Sequence, residues 1–265
     1  RDDPRARAWM AAVERGQRAG NRFFAMDIEL LVSGHDSGAR RMFGLARADR
    51  DDTRLLYVFA WPSFFRGSSL VLDDALRAEV PDRMWLFLPG LKTYREVETA
   101  SLGVMIPGTG LTYEDARGWI APEKYLFGPI QPRRDTLAFD AWPRSDSLAR
   151  GLGVSRLAIR LDPRRRVVTA VTFFDQAGRP FKAYAASEFV AIGGHWYPAR
   201  VRTTHEVQRI TATITYRYRD LGAPPPLALF RQNREGEPFL DRLLAWRDRA
   251  GLAEAFPDTI AEMGR

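Results

Sequence analysis

Three histidines are the side chains best suited to bind a metal ion or to take up a proton in catalysis. His35 lies in the stretch Ser-Gly-His-Asp-Ser-Gly, which is typical of a solvated hairpin turn. His195 and His205 flank a predicted strand, and a separation of ten residues spans about 33 Å in extended chain. Because one ion cannot reach both side chains without a bend, the sequence predicts no metal site.

Nucleophiles and phosphate-binding loops are equally sparse. The chain has no cysteine and no G-x-S-x-G motif, and Gly108-Thr109-Gly110 lacks the third glycine and the lysine of phosphate loops. Glu114 and Asp115 are adjacent, so on a helix they point in different directions and make a poor acid–base pair. We therefore predict a protein that is not an enzyme and needs no cofactor. The sequence does not exclude a Ser-His-Asp triad assembled from distant segments of the chain.

The composition describes a chain with a sizeable core and a dispersed charge. Of 265 residues, 45% are hydrophobic and 12% aromatic, and the net charge is +7. The lysines are Lys92, Lys124 and Lys182, and the arginines are interleaved with 33 acidic residues along the whole chain. Nucleic-acid-binding proteins usually concentrate their positive charge, so this distribution disfavours that class.

The sequence contains no stretch that approaches the ~20 apolar residues of a membrane span. It begins Arg1-Asp2-Asp3-Pro4 without an initiator methionine. We therefore expect a soluble product from which an N-terminal segment, such as a signal peptide, has been removed.

Period-2 alternation predicts a sheet of short antiparallel strands. Phe24, Met26, Ile28 and Leu30, for example, lie on one face of the first strand. In residues 55–61 both faces are apolar, so we expect both faces of the sheet to be covered. The predicted strands comprise residues 24–30, 40–47, 55–61, 67–72, 83–88, 93–98, 155–161, 167–175, 181–192, 196–204 and 209–219.

Helices are predicted at both ends and in the middle of the chain. Residues 5–17 form an amphipathic pattern, and Thr112-Tyr113-Glu114-Asp115 is a capping box that would begin a helix within a helical and irregular insertion at about residues 108–150. Ala223-Pro224-Pro225-Pro226 is a stiff spacer before a further helix at 239–256. We expect a main domain at 1–221, with residues 222–265 as the spacer and a helical appendage.

Five motifs in register resemble the outer-membrane lipoprotein-sorting protein family, whose members have a LolA-like fold. The resemblance covers about residues 21–219, and two departures are Gly110, where the family typically has Asp, and the less basic stretch 94–97. The motifs are RGSSLVL at 66–72, DRMWLFLPGLK at 82–92, GTGLTYED at 108–115, FDQAGRPFK at 174–182 and WYP at 196–198.

The resemblance implies an α+β fold, mainly antiparallel: a highly curved half-barrel whose concave face is plugged by helices around an apolar cavity. It further implies a periplasmic carrier of a lipid or acylated cargo. Such a carrier works beside an inner-membrane RND/MMPL-type exporter and delivers toward the outer membrane. We expect peripheral rather than integral membrane contact, no nucleic-acid partner and a monomer. Burial of each methylene of an acyl chain contributes ~0.8 kcal/mol, so such a carrier needs a cavity and a lid but no catalyst.

Three groups of residues follow from this hypothesis. The loop with Gly108, Gly110 and Tyr113 is the predicted lid. Arg66, Lys92 and Arg95 are the candidates to meet an anionic headgroup or an acidic partner, although a role as solvated strand-end charges explains them more simply. The predicted cavity residues are Met26, Ile28, Leu30, Phe43, Tyr57, Phe59, Leu70, Leu72, Trp85 and Phe87.

Two other functions are compatible with the same fold. One is an envelope sensor or binding module that recognises a partner protein and transports nothing. The other is an enzyme that uses the cavity for a small hydrophobic substrate, for which Tyr113, Asp115, His195 and His205 would be the residues to replace.

Overall fold

The computed structural model describes residues 2–50, 52–75, 82–231 and 238–258. Those residues contain three α-helices, α1 (Pro4–Arg18), α2 (Asp146–Leu152) and α3 (Phe239–Arg249), and several short 3₁₀ turns. The strands are β1 (Arg22–Val32), β2 (His35–Ala48), β3 (Asp52–Trp61), β4 (Ser69–Ala75), β5 (Arg83–Leu88), β6 (Thr93–Glu96), β7 (Tyr125–Phe127), β8 (Gln131–Pro132), β9 (Leu137–Pro143), β10 (Arg156–Asp162), β11 (Val167–Phe174), β12 (Pro180–Ile192), β13 (His195–His205) and β14 (Ile210–Asp220).

The strands follow one another in a meander that the alternation pattern predicts. Their order is β6-β5-β4-β3-β2-β1-β14-β13-β12-β11-β10-β9-β7, and β8 pairs with β9. The pairs β2–β3, β3–β4, β10–β11 and β12–β13, among others, are antiparallel. The predicted class, α+β with mainly antiparallel strands, is confirmed.

The chain forms two compact units, each of which gathers three separate stretches of sequence. The first unit comprises Arg1–Ala19, Glu29–Ser37 and Glu98–Thr215. The second unit comprises Gly20–Ile28, Gly38–Val97 and Tyr216–Arg265.

In the first unit, α1 begins where the sequence supplies both a cap and a proline. The side chain of Asp3 accepts hydrogen bonds from the backbone N–H groups of Arg5 and Ala6, and Pro4 occupies the first turn, where no intrahelical donor is needed. Met10 and Val13 are buried on one side of the helix. This agrees with the predicted amphipathic helix.

In the second unit, one side of the sheet packs against the C-terminal segment. Phe43, Val58 and Phe87 share a buried cluster with Phe239 and Leu243 of α3. Full burial of one such side chain contributes about 1.5–3 kcal/mol, so α3 is held by packing. The predicted boundary at residue 221 stays a prediction.

The opposite side of this sheet is also apolar and is closely packed around a glycine. Gly44 pairs with Tyr57 across β2 and β3, and the ring of Phe24 lies over Gly44. A Cβ atom at Gly44 would lie 2.1 Å from that ring. Because the Phe24 ring also contacts Tyr57 (5.6 Å between centroids) and Tyr218 (5.7 Å), it has little room to move.

The predicted helical and irregular insertion at residues 108–150 is partly wrong, because the region also contains strands. It contains β7, β8 and β9, and β9 pairs with β10 as an ordinary antiparallel strand. In β9, Leu137, Phe139 and Ala141 alternate with Ala138 and Asp140, a period-2 pattern that is short and preceded by polar residues. Helix in this region is limited to 3₁₀ turns and the start of α2, in the residues that the structure describes.

We predict that Gly44→Ala lowers the free energy of unfolding by about 2 kcal/mol, because the added methyl group must displace the Phe24 ring. Gly90→Ala is the matched control, since a Cβ there meets no atom within 4 Å. Urea denaturation of both variants measures the difference. Equal midpoints for the two variants would contradict the packing described here.

Candidate functional site

Residues 102–118 of the first unit, which we call the lid segment, form a compact loop closed on itself. Met105 and Thr112 form an isolated antiparallel bridge, and the N–H of Ile106 donates to the carbonyl of Leu111 (2.7 Å). The hydroxyl of Thr109 donates to the carbonyl of Ile106 (2.8 Å). The predicted lid residues Gly108, Gly110 and Tyr113 all lie in this segment, and Tyr113 is buried.

Gly110 is the point at which the lid segment lies closest to the sheet. Its φ of +69° is left-handed, and a Cβ there would lie 2.7 Å from the Cβ of Ala212 and 3.3 Å from Cδ1 of Leu30. Its carbonyl accepts a hydrogen bond from the hydroxyl of Thr203 (3.2 Å). A side chain at position 110 would therefore separate the lid segment from the sheet.

The sheet side below the lid segment, which we call the lid-facing side, is largely apolar. Directly paired residues of antiparallel strands share a side, and two such rows cross it. One row joins Val171, Tyr184, Thr203 and Ala212, and the other joins Phe173, Lys182, His205 and Ile210.

The capping box forms as predicted, but the helix it should begin is a single turn. The N–H of Thr112 donates to Oδ2 of Asp115 (2.7 Å), and the N–H of Asp115 donates to the Thr112 hydroxyl (3.3 Å). The turn Asp115–Arg117 is 3₁₀ and ends at Gly118, with φ +84°. The expectation of a longer helix is wrong because this left-handed glycine and Pro122 follow within seven residues of Asp115.

A buried ion pair joins the lid segment to the sheet. Nζ of Lys182, on β12, donates to Oδ2 of Asp115 and lies 3.4 Å from the Thr112 hydroxyl. It also lies 4.4 Å from the centre of the Phe173 ring, a cation–π contact. The Lys182 side chain is 5% exposed and that of Asp115 is 18% exposed. The pair is therefore shielded from solvent and from screening by salt.

A small cavity lies beside this ion pair. Its volume is about 30 Å³, which holds a water molecule but not an acyl chain. Its polar lining includes Glu114, which lies 3.2 Å from Nζ of Lys124. Its apolar lining comes from Tyr125, Leu152, Val154, Phe173 and Phe181.

Burial changes the titration of neighbouring side chains. It raises the pKa of Tyr184 above its ordinary value, and the negative charge of Asp115 adds to this effect. Burial also lowers the pKa of His205, and the positive charge of Lys182 lowers it further. Nδ1 of His205 has no hydrogen-bond partner among the described residues. The lowered pKa favours the neutral form of His205 near neutral pH.

The predicted cavity residues are divided among several places. Leu30 lies in the first unit, directly below Gly110. Phe43, Trp85 and Phe87 lie in the second unit, in the cluster with α3. The other six lie on the opposite side of that unit's sheet: Met26, Ile28, Tyr57, Phe59, Leu70 and Leu72. A ligand-binding role for any of the ten residues stays a prediction.

The predicted headgroup or partner contacts lie near two loops of the second unit. Arg66 donates to the carbonyl of Ala60 (3.1 Å) and lies 3.9 Å from Oδ2 of Asp258, and Lys92 and Arg95 are exposed. Phe64 and Leu91 in the same loops are 73% and 70% exposed. Apolar side chains among basic residues are compatible with the predicted contact, which stays a prediction.

The role of Lys182 was not predicted from the sequence. Lys182 stands in the motif at residues 174–182, but no pattern marked it as buried or placed it beside Asp115, 67 residues away in sequence. A signal was present in the composition: among 40 basic residues three are lysines, and Lys124 and Lys182 both pair with carboxylates of the lid segment.

We predict that Lys182→Met lowers the free energy of unfolding by about 3 kcal/mol, because it leaves the Asp115 carboxylate without its cation. The matched control is Arg179→Met, three residues away, which removes an ion pair whose arginine is 78% exposed and should cost less than about 1 kcal/mol. Guanidinium denaturation compares the two variants. Similar losses would show that the buried pair does not hold the lid segment.

No helix of the described residues is long and apolar enough to cross a membrane.

Comparisons with known proteins identify the fold. No curated protein matches the sequence. A DUF1329 family protein from Desulfovibrio piger matches with a TM-score of 0.76 at 16% identity, over 88% of this chain and 98% of that one.

Two further crystal structures match in the same way. A putative outer membrane lipoprotein-sorting protein domain from Vibrio parahaemolyticus gives a TM-score of 0.73 at 18% identity, over 86% of this chain and 98% of that one. A LolA superfamily protein from Nitrosomonas europaea gives 0.62 at 13% identity, over 84% and 97%. The resemblance seen in the sequence motifs is thereby confirmed at the level of the fold.

A family model described as "Uncharacterized protein" matches residues 51–234, which is more than half of the chain. The chain therefore belongs to that family, and its fold is LolA-like.

Proposed function

We propose that the protein is a periplasmic carrier that binds a lipid or acylated cargo on the lid-facing side after the lid segment moves away. One observation carries this proposal: an apolar sheet face is covered by an irregular loop, which a glycine contact and one ion pair join to the sheet. Such a cover can leave without breaking any strand pair of the sheet.

Cargo binding would replace one apolar surface on the sheet, that of the lid segment, with another, that of an acyl chain. The lid segment buries Leu102, Ile106, Leu111 and Tyr113, and an acyl chain that replaces them gains ~0.8 kcal/mol for each methylene removed from water. The existing cavity of about 30 Å³ is too small for such a chain. Cargo binding under the lid segment therefore requires displacement of that segment, and cargo release allows it to return.

The proposal includes no catalytic step, because carriage requires burial and release alone. The direction of transport, from an inner-membrane RND/MMPL-type exporter toward the outer membrane, follows from the sequence resemblance. The name of the Vibrio parahaemolyticus domain, which refers to lipoprotein sorting, supports an acylated cargo.

We further propose that the loops bearing Phe64 and Leu91 touch an anionic membrane surface during this transfer. Their exposed apolar side chains can enter the headgroup region, while Arg66, Lys92 and Arg95 supply the positive charge that attracts anionic lipids.

We predict that Leu30→Glu reduces the lipid bound by the purified protein by about tenfold, because a buried carboxylate on the lid-facing side opposes an acyl chain. Leu31→Glu is the matched control: the neighbouring residue points to the other side of β1 and is 40% exposed. Lipid extraction followed by mass spectrometry measures the bound cargo, and circular dichroism verifies that each variant folds.

The wild-type protein supplies a test that needs no variant. When purified from a bacterial periplasm, it should carry a lipid or acyl chain that native mass spectrometry detects. A protein that stays empty when offered lipid vesicles and free fatty acids would refute the carrier and favour a sensor of partner proteins.

A further inference from the structure

We infer that the ligand under the lid segment is an anionic amphiphile, whose carboxylate or phosphate replaces Asp115 on Lys182. This inference rests on the proposed function and adds the chemical class of the cargo and the residue that selects it.

The two partners of the buried ion pair belong to different parts of the first unit. Lys182 lies on β12, in the sheet, whereas Asp115 and the Thr112 hydroxyl that lies beside Nζ belong to the lid segment. When the lid segment moves, both oxygen atoms leave with it. The ammonium group of Lys182 stays on an apolar sheet side.

The groups that remain on the sheet do not replace the lost charge. Phe173, directly paired with Lys182, offers its ring face at 4.4 Å, which compensates a cation only partly. His205, paired with Lys182 on the other side, is neutral or positive at any pH. A buried ammonium without an anion is strongly unfavourable, so a neutral ligand would carry a penalty that an anionic one avoids.

The other carboxylate of the cavity does not repel an incoming anion. Glu114 lies 3.2 Å from Nζ of Lys124 and 3.7 Å from Nε of Arg117, so its charge is already compensated. Lys182, by contrast, has Asp115 as its carboxylate partner in the described part of the chain. An anionic headgroup is therefore expected at Lys182, with its tail along Tyr184, Thr203 and Ala212.

The test compares three dodecanoyl ligands that differ in their headgroup. Delipidated full-length protein is titrated with dodecanoate, methyl dodecanoate and dodecanoyl lysophosphatidylglycerol, and displacement of the neutral probe 1-aminoanthracene measures binding. We expect one or both anions to bind about tenfold more tightly than the methyl ester. Tighter binding of dodecanoate identifies a free carboxylate as the preferred headgroup, and tighter binding of the lysolipid identifies a phosphate.

Two variants and a control separate Lys182 from general electrostatics. Lys182→Met should bring the ratio of anion to ester affinity to about one, with the affinity for the ester raised, because no ammonium is then left without an anion when the lid segment moves. Asp115→Asn, which weakens the lid contact that each ligand must break, should raise the affinity for all three ligands and keep the preference for the anions; unchanged affinities would show that the ligand does not replace Asp115. Arg179→Met removes a positive charge nearby and should keep the wild-type ratio, as the control.

The outcomes distinguish this inference from the function on which it rests. If the wild type binds ester and anions equally, or if Lys182→Met keeps the preference for anions, the inference is wrong and the carrier stands. If the wild type binds none of the three ligands, the carrier itself is wrong. If Lys182→Met fails to fold, two measurements still decide whether the inference holds. They are the comparison of ester and anion affinities in the wild type and the affinities of Asp115→Asn.

Discussion

A charged lysine on an apolar sheet side needs a counter-charge, and this requirement governs the first unit. The structure supplies the counter-charge from the lid segment, which Asp115 thereby holds over β12. A second buried cation shows the contrast. Arg41 is fully buried and donates to both carboxylate oxygens of Asp27 (2.6 and 2.9 Å), a residue of the neighbouring strand β1. That pair can stay intact whatever the lid segment does.

Glycines and aromatic rings decide how closely the layers of each unit approach. At Gly110 the lid segment touches Ala212 and Leu30, and at Gly44 the sheet receives the ring of Phe24. Both contacts depend on the absence of a Cβ atom, but they differ in kind. The contact at Gly44 lies between neighbouring strands, whereas the contact at Gly110 joins a loop to a sheet, so the proposed displacement of the lid segment breaks only the second.

The sequence predicted those elements whose signals are local. Alternation gave the strands on either side of residues 97–155, and Asp3-Pro4 marks the start of α1. The sequence did not predict β9, whose seven residues follow a polar stretch. It predicted a longer helix after Thr112 than the single turn that ends at Gly118. The lid residues were predicted from a motif. Lys182 was not, because its partner is 67 residues away and no local pattern encodes that contact. To predict the cavity residues, one must know which side of the sheet each residue faces. Strand pairing decides that side, and the local sequence does not.

Because the chain has no cysteine, a distance across the lid can be measured directly. Spin labels at Pro107→Cys, on the exposed tip of the lid segment, and at Val207→Cys, in the exposed β13–β14 turn, report the separation of lid and sheet. Displacement of the lid segment by cargo predicts that saturating dodecanoate shifts the distance distribution to larger values. An unchanged distribution with dodecanoate bound would contradict the account, because the cargo would then occupy a site that the lid segment does not cover.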